Sequence, residues 1–185
     1  METKYGRYGF NVKKIKDNAS VLRVLEYSRF NNEKKEGKKV RKDKVEYYGG
    51  KGVNIDNLKE AVEEFRDVRR IYNKDKGVLA YHITITFQRS YAARQIDRCA
   101  KKFCKEVFGD YQYVYGVHDL SKSHVHLVIN SVNYKTGYKY RSPFPTNGEK
   151  YKQWLAEMQR KMDEVFRGDE VNSMVSSCSR ICSMV

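Results

Sequence analysis

The sequence predicts an α/β (α+β) domain, a central and mostly antiparallel sheet with helices packed on one face. Three observations predict it. Residues 78–88, VLAYHITITFQ, alternate cleanly between two faces. Residues 111–118 (YQYVYGVH) and 124–132 (HVHLVINSV) are two further strand-like runs joined by a short polar loop, which suits antiparallel neighbours. Before, between and after these runs lie stretches whose apolar residues recur at helical spacing.

The elements follow in order. Residues 1–16 mix tyrosine, glycine and lysine, with Tyr5, Tyr8 and Phe10 as strand candidates. Asp17 or Asn18 can cap a short helix over 19–29, given an apolar side by Leu22 and Leu25 and with Tyr27 near its end. Residues 31–44 carry seven Lys or Arg against three acids, with Val40 as their one apolar residue, and read as a solvated loop. YYGGKG, from Tyr47 on, looks turn-like. An amphipathic helix covers 54–72, capped by Asn54 or Asp56, with Leu58, Ala61, Val62, Phe65, Val68 and Tyr72 on one side. In the strand at 78–88, Leu79, Tyr81, Ile83, Ile85 and Phe87 share one face; Ala80, His82, Thr84, Thr86 and Gln88 share the other. A helix over 91–108 turns Ile96, Cys99, Ala100 and Phe103 inward and stops at Gly109–Asp110. After the paired strands, 133–140 reads as a turn and short strand, and 150–167 as a last helix built on Trp154, Leu155, Met158, Met162 and Phe166. Residues 169–185 hold five serines and no aromatic residue or lysine, and read as a peripheral or disordered tail.

A chain of 185 residues suits one domain. Aromatic content of 13% argues against disorder. A net charge of +14 points to a polyanionic partner, nucleic acid before an acidic membrane surface. The four cysteines form no CxxC pair and fit a reducing, cytoplasmic setting. No stretch reads as a signal peptide or as an apolar run long enough to cross a bilayer.

The chemistry concentrates in four histidines, His82, His118, His124 and His126, all in or beside the strands. On a strand, His124 and His126 point the same way, about 6.5–7 Å apart. Two imidazoles so placed can converge on one ion that sits about 2.1 Å from each nitrogen. His118, at the end of the preceding strand, supplies a third ligand. Three neutral nitrogens leave positions open for substrate oxygens. They favour a divalent transition metal or Mn²⁺, with Mg²⁺ as the alternative. Asp119 can orient a ligand imidazole, and His82 lies on the polar face of its own strand, toward the same site.

GVHDLSKSHVHLVINSVN resembles the third motif of plasmid mobilisation relaxases, a branch of the His-hydrophobic-His endonucleases. VLAYHITITF resembles the strand that precedes it, residues 58–72 the helix before that, and SVLRVLEYSRF the first motif, which carries a nucleophilic tyrosine. The resemblance implies a DNA-nicking domain over 1–168, with Tyr27 as nucleophile, His118, His124 and His126 as metal ligands and Asp119 beside them. The loop from His118 to His124 is one residue shorter than is usual in the family, and Asp119 stands one residue nearer its histidine. The implied reaction is attack of the phenol on a metal-polarised phosphate, leaving a 5′-phosphotyrosine and a free 3′-hydroxyl, and resealing by the reverse. The implied partners are single-stranded DNA at an origin of transfer and accessory DNA-binding and coupling proteins, with no membrane, for a chain that is monomeric when free. DNA contacts fall to Lys34, Lys35, Lys38, Lys39, Arg41 and Lys42 in the first basic run, to His82, and to Lys135, Lys139 and Arg141 interleaved with Tyr134, Tyr138 and Tyr140. Three rivals share the composition: a replication or transposition nickase, in which the tyrosine follows the HxH strand; a non-catalytic single-strand-binding module; and a zinc-stabilised structural domain.

Overall fold

The computed structural model of the chain describes residues 7–35, 38–43, 45–118, 123–141 and 148–182, with 31–43 and 172–182 described by their backbone. Five strands form one sheet: β1 (Tyr8–Ile15), β4 (Tyr47–Lys51), β5 (Ala80–Phe87), β6 (Tyr111–His118) and β7 (His124–Asn133). Their order is β1-β5-β7-β6-β4, and every neighbouring pair is antiparallel. Strands β2 (Phe30–Lys35) and β3 (Lys38–Asp43) make a separate two-stranded hairpin. The helices are α1 (Asn18–Arg29), α2 (Leu58–Ile71), α3 (Ala93–Phe108) and α4 (Glu149–Cys182). The expected α+β architecture with an antiparallel sheet is present.

The strand alternation divides the core in two. Tyr81, Ile83 and Ile85 of β5, with Val125, Leu127 and Ile129 of β7, face α3 and α4 and pack on Ile96, Phe103, Met162 and Phe166. The opposite face is apolar at one end, where Ala80, Val114 and Val128 pack on Val21 and Leu25 of α1 and Leu58, Val62 and Phe65 of α2. Helices therefore cover both faces, not one as the sequence implies. The physical reason lies in the second face, which is apolar at Ala80, Val114 and Val128 and polar at His82, Thr84 and His126. Two helices bury the first end and leave the imidazole end open.

Local chemistry explains most boundaries. Asp17 caps α1, its Oδ1 accepting from Ser20 N at 2.7 Å. Asn57, rather than Asn54 or Asp56, caps α2, because Asn54 Oδ1 is engaged earlier by the amides of Asp56 and Asn57. The buried stripe of α2 runs Leu58, Ala61, Val62, Phe65 and then Arg69, not Val68. Arg69 is fully buried and bonds Asp75 (2.9 Å), Asn18 of α1 (2.6 Å) and Asn130 of β7 (3.3 Å). YYGGK is the edge strand β4, paired to β6, where a turn is expected from the sequence. The basic run expected as a loop is instead the β2–β3 hairpin, with Lys34 opposite Lys39 and Asn32 opposite Arg41. Ladder hydrogen bonds, which leave no trace in hydrophobic period, define those strands. After β7 the chain turns through Gly137 (φ 72°), where a side chain would meet the Tyr72 ring, and returns by one bridge, Val132 to Lys139. Helix α4 has no break at 168–169, and Asp169 holds Arg98 of α3 through two bonds of 2.7 and 2.9 Å.

Candidate active site

Register brings the histidines together. His124 lies opposite His118 across β6–β7, and His126 lies opposite Gly116 on one side and Thr84 on the other. His118, His124 and His126 each offer a nitrogen, and these lie within 4.8 Å of one another. His118 Nδ1 and His124 Nε2 are 3.1 Å apart. His118 is 1% exposed and His126 3%, so the cluster is largely dehydrated.

The outward nitrogens identify the ligand atoms. His118 Nε2 donates to the backbone carbonyl of Ser28 at 2.8 Å, which directs Nδ1 toward His124 Nε2, 3.1 Å away. His126 Nδ1 lies 2.8 Å from His82 Nε2, which leaves its Nε2 for an ion. His82 is buried, and burial, aided by the charge of Lys13, pushes its pKa down to about 4. It is therefore neutral at pH 7 and can accept from His126. Ring orientation through the far nitrogen is the usual companion of metal ligation. Three converging nitrogens, two of their rings held by second partners, fit a divalent cation.

Tyr27 lies in the last turn of α1, is 55% exposed, and sets its ring edge-on to His126 with centroids 5.1 Å apart. It stands 6.4 Å from the His82 ring. Val21, Leu25 and Ser28 bury the opposite stripe of α1 and so aim Tyr27 at the histidines. The approach depends on Gly116, because a side chain there would strike the Ser28 carbonyl. Tyr27, His82, His124 and His126 line an open pocket of about 560 Å³, whose floor and rim also include Asn11, Lys13, Thr84 and Thr86.

Other expected residues fall elsewhere. Asp119 lies outside the described residues. Lys34, Lys35, Lys38, Lys39, Arg41 and Lys42 sit on the β2–β3 hairpin, which follows α1 directly in the chain. His82 is 6% exposed and spends its Nε2 on His126, an arrangement better suited to holding that ring than to touching DNA. Lys135 pairs with Asp110 at 2.8 Å. Lys139 and Arg141 line a different pocket, away from the histidines. Of the interleaved tyrosines, Tyr138 is 77% exposed, whereas the hydroxyl of Tyr134 donates to Gly109 O and that of Tyr140 accepts from Trp154. Sequence reasoning missed the Ser28 carbonyl, a backbone group that only the packing of α1 on β6 reveals. It also passed over Lys13, which alternation places on the histidine face beside His82.

An antiparallel sheet that gathers an HxH pair and a third imidazole beside a helical tyrosine defines a class, the His-hydrophobic-His endonucleases. Within that class, the MobA/VirD2-like relaxase nuclease domain family matches residues 30–163, and the chain belongs to it. The match takes in all four histidines and begins just after Tyr27. Two relatives are both named "Protein rlx", from Staphylococcus aureus. One is 33% identical over 93 residues, covering 49% of this chain and 29% of that protein. The other is 28% identical over 101 residues, covering 54% and 31%. The matched parts thus span under a third of either relative. A solved structure described as "Molecular Basis of Vancomycin Resistance Transfer in Staphylococcus aureus" shares the fold, with a TM-score of 0.53 at 15% identity, over 88% of this chain and 93% of that one. No helix among the described residues is long and apolar enough to cross a membrane.

Proposed function

We propose that the chain nicks and rejoins single-stranded DNA at an origin of transfer, with Tyr27 as nucleophile and His118, His124 and His126 as ligands of a divalent cation, Mn²⁺ before Mg²⁺. The observation that carries this reading is the Tyr27 ring set 5.1 Å from His126, at the mouth of a three-imidazole cluster. When bound, the cation would supply positive charge for the scissile phosphate and so offset the charge that builds up on phosphorus. The protein does the rest. The Ser28 carbonyl and His82 hold two ligand rings in the tautomers that turn a lone pair inward. The phenol oxygen of Tyr27 bonds to phosphorus as the bond to the 3′-oxygen breaks, and the proton lost by the phenol is matched by one gained by the 3′-oxygen. The products are a 5′-phosphotyrosine and a 3′-hydroxyl. One phosphodiester replaces another, so a 3′-hydroxyl can reverse the step. Phosphate contacts come from Lys13 beside the pocket and from the basic β2–β3 hairpin. A cytoplasmic setting suits the two buried free thiols, Cys99 and Cys104.

The test uses labelled single strands from the genetic neighbourhood of this coding sequence, incubated with the protein and Mn²⁺ and analysed under denaturing conditions. A protein–DNA adduct should form, vanish in Tyr27→Phe and vanish with chelator while circular dichroism stays unchanged. Cleavage that survives Tyr27→Phe would overturn the assignment of the nucleophile. Unfolding on chelation would favour a structural metal instead.

A further inference from the structure

Lys13 and Lys14 are neighbours on β1, an edge strand of the sheet, yet they serve different cavities. Lys13 lines the histidine pocket. Lys14 lines a second pocket, of about 760 Å³, on the opposite face near the start of β5. Its other cations are Lys74 and Lys76 from the turn before β5, and Lys139 and Arg141 from the segment after β7. Five of its ten lining residues are Lys or Arg, and none is acidic. Tyr138 adds an exposed ring of the kind on which a base can stack. Lys139 braces the wall by donating to the carbonyls of Lys76 and Val78. Burial first, then the charges of Arg69 and Lys74, pull its pKa down. Like charges gathered this way repel one another until an anion joins them. Edge lysines can also serve to block strand-to-strand association, which would account for Lys14. Lys74, Lys76 and Arg141 are not on the edge strand, so that role does not explain them.

We propose that this basic pocket is a second contact for single-stranded DNA, holding phosphates of the strand that has left the histidine pocket and crossed the β1 edge. The identity of the ligand rests on the relaxase reading; the site itself rests on the pocket. Neighbouring residues contribute to both cavities, Lys13 and His82 to one and Lys14 and Tyr81 to the other, so the two open on either side of the same pair of strands.

The experiment measures fluorescence anisotropy of single-stranded oligonucleotides of increasing length, with the full chain in chelator so that no cleavage intervenes. Lys74→Glu/Lys76→Glu is compared with Lys101→Glu/Lys105→Glu, an equal charge change on the exposed side of α3. The pocket variant should bind long strands about tenfold more weakly, bind the shortest strands as the parent does, and lose about 0.7 of salt slope per phosphate contact removed. The α3 variant, with the same change of four charge units, should stay within about twofold of the parent at every length, because solvent-exposed charges more than a Debye length from the strand are largely screened. Lys74→Gln/Lys76→Gln, with thermal melts, guards against misfolding and should show the same length dependence. Equal losses in both charge-reversal variants, or no loss, overturn the proposal. Weakened binding to phosphatidylserine vesicles with unchanged DNA affinity overturns it in favour of a lipid surface. A chain that forms no tyrosine adduct but shows the length-dependent loss defeats the catalytic reading and leaves this one standing. Normal adduct formation without that loss defeats this one alone.

Discussion

His82 and the Ser28 carbonyl each bond to the far nitrogen of a clustered imidazole and so bias which nitrogens His126 and His118 present. Removing such an orienting partner typically lowers metal affinity by about 10- to 100-fold. His82→Ala should therefore weaken Mn²⁺ binding, measured by calorimetric titration, by about that factor. His82→Gln, whose amide oxygen can still accept from His126, should lose less. Equal losses would mean that His82 acts through packing rather than through its acceptor. The HxH pair was legible in the sequence because strand alternation alone puts both rings on one side, and His118 because it ends the adjoining strand. The pairing of His82 with His126 was not, since it needs the offset of β5 against β7.

Helix α1 is fastened at both ends, and each fastening can be cut separately. At its start, the fully buried guanidinium of Arg69 holds Asn18 as well as Asp75. Arg69→Ala removes one partner of a largely buried ion pair and should lower unfolding free energy by about 3–5 kcal/mol, read from the denaturant midpoint. At its end, α1 approaches β6 over Gly116. Gly116→Ala should push the Ser28 carbonyl off His118 and swing Tyr27 from the histidines. The stability loss should be about 1–3 kcal/mol, as for other overpacked sites. The rate of adduct formation should fall far more than that loss alone requires, since the protein remains folded. Intact adduct formation in Gly116→Ala would show that α1 adjusts without moving its tyrosine. The helices themselves could be read from period, but Arg69 shows the limit of that reading. A charged residue at a buried helical position looks like surface until its partners on α1 and β7 are seen.

At the scale of the molecule, one helix cap and two ion pairs depend on ionised carboxylates. Hydrogen bonds from Ser20 hold the pKa of Asp17 below the usual carboxylate value. Burial raises that of Asp75, but the hydrogen bond and charge of Arg69 outweigh it. The Arg98 hydrogen bond lowers that of Asp169. A carboxyl group whose pKa is depressed by folding stabilises the native state above its unfolded value, near 4, and loses that contribution as pH falls through its folded value. The urea midpoint should therefore fall gradually below about pH 6.5, where buried His82 stays neutral while the unfolded imidazole takes up a proton, and more steeply below about pH 4, where the carboxylates lose their contribution. Asp169→Asn should blunt the decline; an unchanged acid limb would mean that the Arg98 pair contributes nothing. The antiparallel sheet could be read from three strand-like runs, whereas coverage of both faces could not. The apolar half of the second face is spread over β5, β6 and β7 and becomes one surface only when the strands pair.

The order β1-β5-β7-β6-β4 puts the HxH strand in the middle, with a ladder on each side. Backbone amides there can exchange with deuterated solvent only when the sheet as a whole gives way, while those of the outermost strands exchange through local fraying. The arrangement that gathers the imidazoles should therefore outlast every partial opening of the domain and disappear only with the last of its tertiary structure.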